Sequence, residues 1–158
     1  MAPMVVAGTL AMTGAAVAAA DSETTMVPLQ NKIRACDFVP AQFLDGFGTG
    51  YGSAVAHIGT PASGTVSADV QIQTSQPDTA YQVRLIQLPR PASSTCGAGD
   101  PGIATGVLHT DGAGNGSTTV SGPKSSGATA AWVVIEGPPV PGKTDGEVYS
   151  TDYPARLN

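Results

Sequence analysis

Between residues 65 and 88, apolar and polar side chains alternate, and this alternation limits the possible folds more than any other feature of the chain. One alternating run spans 65–74 and a second spans 79–88, with a Gln76-Pro77-Asp78 turn between them. A period of two places one face of a strand on a core and the other in water. The two runs therefore predict an antiparallel hairpin. Its core positions are Val66, Ala68, Val70, Ile72, Tyr81, Val83 and Leu85.

Further strands are predicted on both sides of this pair. Segments 103–110 and 117–121 flank the glycine-rich loop Asp111–Gly116, which predicts a second hairpin. The nearly continuous apolar run 130–136 is typical of a central strand that is covered on both faces. The remaining candidates are 147–153, 53–58 and a weaker strand at 32–38. About seven short strands predict an immunoglobulin-like antiparallel β-sandwich.

Length and composition agree with a single all-β domain over residues 21–158. The chain has 158 residues, enough for one buried core. Only 12% of its residues are charged, and 20 glycines and 13 prolines supply turns. No helical periodicity lies between the predicted strands, which argues against a βαβ architecture.

The first 20 residues carry no charged side chain and end in Ala-Val-Ala-Ala-Ala. Small residues at Ala18 and Ala20 fit the requirements of signal peptidase, so we expect a signal peptide over 1–20 and cleavage after Ala20. The alternative is a membrane anchor, but a span needs about 20 strongly apolar residues. Pro3 and Gly8 are among the residues that dilute this run. The expected location is therefore outside the cell or in the cell envelope, with no stable membrane insertion after cleavage.

Cys36 and Cys96 are the only two cysteines. In an exported chain an even number of cysteines indicates a disulfide. Such a bond would tie the segment 32–38 to the loop 93–102 and so pin the N-terminal region to the body of the domain. The alternative, a redox pair or metal thiolates, would favour CxxC spacing or nearby histidines, and the sequence has neither.

The formal net charge of −5 argues against two classes of partner. The seven cationic side chains are scattered rather than clustered. Binding of nucleic acid needs a basic surface that neutralises phosphates, and binding of anionic lipid needs a similar one. We therefore expect no nucleic-acid partner.

No catalytic motif is present: the sequence lacks GxSxG, HExxH, a Walker loop and GxGxxG before a helix. His57 and His109 are the only imidazoles. They are either strand residues at the solvent face or, if the strands bring them together, metal ligands with Asp111 as a third. The loop at 111–116 departs from a calcium loop at Ala113 and Gly122, so turn chemistry explains it better. The sequence predicts no cofactor.

Aromatic side chains are concentrated between residues 38 and 51. Phe43, Phe47 and Tyr51 lie in a glycine-rich stretch, and Phe38 precedes it. These rings either plug one end of the sandwich or form an apolar surface on a loop that binds a partner. Phe43, Phe47 and Tyr51 are thus the predicted ligand-binding residues.

Four segments carry a resemblance to a known group of proteins: 35–38 around Cys36, 81–86, 95–102 around Cys96, and 110–116. They resemble segments of small, functionally uncharacterised secreted proteins of mycobacterial (actinobacterial) type. The resemblance covers roughly residues 33 to 153 and implies an exported β-sandwich, but it implies no site residues. A more distant similarity to immunoglobulin-like secreted antigens concerns the fold alone.

The preferred hypothesis is a secreted, non-enzymatic β-sandwich that binds a protein or a small apolar ligand. Two alternatives remain open: a metal-binding module that uses the two histidines, and a hydrolase whose site has no recognisable motif. A hydrolase would place a serine or a carboxylate with a strongly shifted pKa in a cleft.

Overall fold

The computed structural model describes residues 23–41 and 50–158, and in these ranges the chain forms an antiparallel β-structure without helices. Nine strands in the described ranges belong to one connected sheet. They are β1 Thr24–Gln30, β2 Ser53–Gly59, β3 Thr65–Gln73, β4 Ala80–Leu88, β5 Ile103–His109, β6 Gly116–Pro123, β7 Ala130–Glu136, β8 Val148–Thr151 and β9 Ala155–Arg156. The all-β class is confirmed, with nine strands in place of about seven.

The sheet folds over on itself. Its order is β5-β4-β7-β8-β1-β2-β3-β6, with β9 beside β7, so the first four strands of this order form one half and the last four the other. β8 and β1 join the halves where Leu29 pairs with Thr151. The end strands β5 and β6 approach closely, since a Cβ on Gly106 would lie 2.8 Å from Val120 Cγ2. The result is a nearly closed, barrel-like sandwich.

In this order β3 pairs with β2 along its length, in the same half as β1. The chain crosses between the halves after β3, after β5 and after β6. The regular alternation of apolar residues reports burial of one face of a strand, but it carries no information on strand order.

Both predicted hairpins are wrong in their pairing. β3 pairs with β2 and β6, whereas β4 pairs with β5 and β7. The 74–79 and 110–115 loops therefore carry the chain from one half of the sandwich to the other. The predicted burial is nevertheless confirmed, because all seven core positions of β3 and β4 are buried in the main core.

The predicted strand at 32–38 is also absent. This segment makes one isolated bridge, between Arg34 and Pro40, and turns sharply at Phe38, whose φ is 75°. The N-terminal strand is β1 instead, although Pro28 within it argues against a strand because proline cannot donate to a ladder.

A second apolar cluster covers the outer face of β4 and β7. It contains Ile86, Trp132, Val134 and Val148, and the segment 33–38 packs on it. β7 is therefore buried on both faces, as its continuous apolar run predicts. We call the segments 31–41 and 89–102 the cap, because they meet over this face.

The disulfide between Cys36 and Cys96 is confirmed, and it joins the two segments of the cap. The Phe38 ring contacts Trp132 edge to face at a centroid distance of 5.5 Å, and the Arg34 guanidinium lies over the Phe38 ring, 3.9 Å from its centroid. The bond belongs to an outer cluster and does not cross the main core. An oxidising, extracellular-type environment suits such a bond.

Candidate functional site

Four connections meet at one end of the sandwich, which we call the loop end: β1–β2, β3–β4, β5–β6 and β7–β8. The β3–β4 and β5–β6 loops are bonded to each other directly. The Ser75 amide donates to Gly114 O at 3.1 Å, and Thr110 Oγ1 donates to Gln76 O at 2.6 Å. These bonds between loops give the loop end a fixed framework.

The β5–β6 loop shows why its sequence predicts a turn rather than a calcium site. Gly114 has a φ of 79°, and a Cβ there would collide with the Ser75 backbone, so only glycine fits without strain. The Asp111 carboxylate accepts hydrogen bonds from the amides of Asn115 and Ala113, both at 2.9 Å. These bonds hold the pKa of Asp111 below its usual value. The carboxylate therefore stabilises its own loop.

Glu147 lies inside the loop end, immediately before β8, and is only 2% exposed. Tyr81 of β4 donates its hydroxyl to Glu147 Oε2 at 2.6 Å, and Tyr149 of β8 donates to the same oxygen at 3.1 Å. Each phenol oxygen in turn accepts a backbone N–H, from Gln76 and Gly52 respectively, both at 3.1 Å. Two loops thus hold the carboxylate of a third loop through two tyrosines.

A pocket of about 170 Å³ lies over this cluster. Glu147, Tyr81, Gln76 and Thr79 line its polar side. The other wall is the proline-rich β7–β8 loop, residues 137–141. This arrangement, an apolar wall with few convergent polar groups, is the usual character of a small-molecule site.

The predicted aromatic site is only partly within the described residues. Phe43 and Phe47 lie outside them. Tyr51 is 84% exposed and sits beside the loop end, because its neighbour Gly52 donates to Tyr149. A Cβ at Gly50 would collide with the hydroxyl of Tyr149. The glycines at 50 and 52 are therefore needed for close packing of this stretch against Tyr149.

The structure does not bring the two histidines together. His57 and His109 alternate with buried neighbours, Ile58 and Leu108, so they lie on the outer faces of opposite halves. Beside His57 in the sheet, Asp69 accepts a hydrogen bond from Thr119 at 2.6 Å. In the described ranges, no group of three His, Cys, Asp or Glu side chains is arranged to hold a metal. Within these ranges the two histidines therefore do not form one metal site.

Sequence analysis missed Glu147 and its tyrosines. Tyr81 is 66 residues away from Glu147 in the chain, so no local pattern connects them. A local clue existed in the predicted strand 147–153, where Glu147 and Tyr149 share a face. An acid that shares a face with a core aromatic residue is either an end-of-strand residue or a buried charge.

No known protein family, curated protein or solved structure matches this chain. In residues 23–41 and 50–158 the structure also contains no helix of the length and apolar character that crossing a membrane requires.

The tyrosine cluster predicts a specific loss of stability in alkali. Burial, reinforced by the hydrogen bond to Glu147, raises the pKa of Tyr81 to about 12, and burial raises that of Tyr149 as well. In the unfolded chain a tyrosine ionises near pH 10. The stabilisation from protonated Tyr81 is therefore complete below pH ~10 and is lost as the pH rises to ~12, at up to about 1.4 kcal/mol per pH unit for one proton.

Urea unfolding of wild type and Tyr81→Phe between pH 8 and pH 12 measures this effect. The stability difference between the two proteins should change over this interval, and it should stay constant for the matched control Tyr51→Phe, at an exposed position. Parallel pH profiles for wild type and Tyr81→Phe would contradict the assignment.

Proposed function

We propose that this chain is an exported, non-enzymatic β-sandwich protein that binds a small ligand in the pocket at its loop end. The observation that carries the proposal is this pocket, about 170 Å³ in volume and built from a proline wall over a buried polar cluster. Proline has a fixed φ, so the wall loses little conformational freedom when a ligand binds. The disulfide and the signal-like composition of residues 1–20 support export.

The location of the pocket connects the proposal with the aromatic stretch. Residues 50–52 pack against Tyr149, which donates to Glu147 at the floor of the loop end. Tyr51 therefore lies beside this site, and Phe43 and Phe47 precede it in the sequence. We propose that the exposed Tyr51 ring extends the apolar surface of the pocket toward a larger ligand or a protein partner.

Titration with four-carbon probes, beginning with 1-butanol, tests the proposed site. Binding should shift the amide NMR signals of Gln76, Thr79 and Gly137, which line the pocket. Val140 also lines it, so Val140→Trp is expected to weaken binding at least ~10-fold by filling the space, a loss of about 1.4 kcal/mol.

The matched control is Val107→Trp, at an exposed position on β5. It should bind the probes as wild type does. If no four-carbon probe of any charge shifts the pocket signals, or if Val140→Trp binds as well as wild type, the loop end is not the ligand site.

A further inference from the structure

The Glu147 carboxyl accepts two phenol hydrogen bonds on one of its oxygens. Its bond from Tyr81, at 2.6 Å, falls in the range of hydrogen bonds to a charged oxygen, about 2.5 to 2.7 Å. Both phenols donate to the same oxygen, Oε2. Within residues 23–41 and 50–158, no hydrogen bond reaches Oε1 of this side chain. Within the described part of the chain, one oxygen of this buried carboxylate is thus left for another donor.

No basic side chain of the described residues neutralises this charge. The two ion pairs in those ranges join Lys32 to Asp152 and Arg84 to Glu136. Removing a carboxylate from water costs several kcal/mol unless a cation or enough donors compensate. The two phenol bonds compensate in part. The remaining charge makes the interior of the loop end attractive to a cation.

The pocket limits the kind of cation that can enter. It has an apolar wall of Pro138, Pro139, Val140 and Pro141. Proline has no N–H, so these residues offer little to an anion and suit a hydrocarbon body. A dry apolar cavity of ~150 Å³ holds a benzene-sized molecule. A pocket of about 170 Å³ therefore accepts a charged head and a body of roughly four to six carbon atoms.

We infer that the pocket binds a primary alkylammonium group, with the ammonium on Glu147 and the alkyl body along the proline wall. This inference rests on the proposed function and specifies its ligand class. A bare metal ion fits less well, because no group of three acidic, histidine or cysteine side chains in the described ranges surrounds one site. An ammonium needs only one carboxylate and a few acceptors, and the Gln76 and Thr79 that line the pocket carry side-chain acceptors.

The test compares n-butylammonium with 1-butanol, which has nearly the same shape and no charge. NMR titration at pH 7 and low salt should give a dissociation constant for butylammonium at least ~10-fold lower, with shifts at Thr79 and Gly137. This ratio corresponds to about 1.4 kcal/mol. Butyrate, which carries the opposite charge, should not bind. The wild-type protein alone gives this comparison.

Glu147→Gln should abolish the preference for butylammonium over 1-butanol. Glu23→Gln, which makes the same change of net charge at an exposed position, should keep it. If Glu147→Gln does not fold, the probe ratio measured on wild type decides the question. Equal affinity of wild type for butylammonium and 1-butanol would overturn the cation inference and leave the pocket intact. Binding of no four-carbon probe would overturn both proposals.

The alkylammonium group has two sources, a free amine and the side chain of lysine on a peptide. A peptide with one central lysine and blocked termini distinguishes them, with the same peptide acetylated on its lysine as the control. Tighter binding of the lysine peptide than of butylammonium assigns the site to a protein partner. Tighter binding of butylammonium assigns it to a free amine. If the acetylated peptide bound as tightly as the lysine peptide, a charged head would not be what the pocket recognises.

Discussion

Replacing both Cys36 and Cys96 with serine is expected to lower the free energy of unfolding by about 4 kcal/mol. The disulfide closes a loop with a sequence separation of 60 residues, and cross-linking a loop of that length removes much of the entropy of the unfolded chain. Whole domains have a stability of about 5 to 15 kcal/mol, so this is a large share. The measurement is urea unfolding of the oxidised wild type and the double variant.

Reduction supplies the internal control for this experiment. Dithiothreitol should bring the wild type to the stability of the double serine variant and should leave the variant unchanged. The β-sheet circular dichroism of the variant should persist in the absence of urea, because the main core lies between the two halves of the sheet and not under the cap. A double variant within ~1 kcal/mol of the oxidised wild type would show that the bond adds little to stability.

The sequence predicts local properties of the strands well because burial leaves a direct pattern in the chain. The alternation over 65–88 gives the correct buried face of β3 and β4. The continuous apolar run of β7 indicates two buried faces, and the structure has them. In both cases the residue type indicates only whether the side chain is buried or exposed to water.

Strand pairing was not predictable by the same means. The turn motifs predict hairpins across the 74–79 and 110–115 loops, yet both loops cross between the halves of the sandwich. The bonds that fix these crossings are made between the loops, such as Ser75 to Gly114. Partners of this kind are far apart in the sequence, and a turn motif alone does not distinguish a hairpin from a crossing.

The candidate site shows the same limit. Tyr51 and its glycines lie beside the loop end, because a glycine-rich stretch permits the close packing seen at Gly50 and Gly52. The chemistry of the site depends on Glu147 and Tyr81, which are 66 residues apart in the chain. Neither residue belongs to a motif, so only their proximity in the fold identifies them.

Trp132→Ala is expected to lower the free energy of unfolding by about 3 to 5 kcal/mol. Trp132 is 1% exposed and is the largest side chain of the outer cluster under the cap. Its indole Nε1 has no hydrogen-bond partner among the described residues, so the loss comes from packing and the cavity alone. Urea unfolding followed by circular dichroism measures it, since the variant removes the only tryptophan of the chain.

Trp132→Phe is the matched control, because it keeps an aromatic ring and gives up no hydrogen bond within the described ranges. Trp132→Phe should lower the free energy of unfolding clearly less than Trp132→Ala does. Equal losses for the two variants would contradict the packing argument, since the cost of a large-to-small change grows with the volume of the cavity left behind.

The cap is held by the disulfide and by the contact between Phe38 and Trp132. A double-mutant cycle with Phe38→Ala measures the contribution of the aromatic pair. Phe38 meets Trp132 edge to face at 5.5 Å, a geometry that contributes about 0.5 to 1.5 kcal/mol beyond the burial of area. The loss caused by Phe38→Ala should therefore be smaller by that amount in the Trp132→Ala background. Because Cys36 lies two residues before Phe38, the cycle should be run with the disulfide intact. Additive losses would mean that the disulfide holds the cap and the aromatic pair does not.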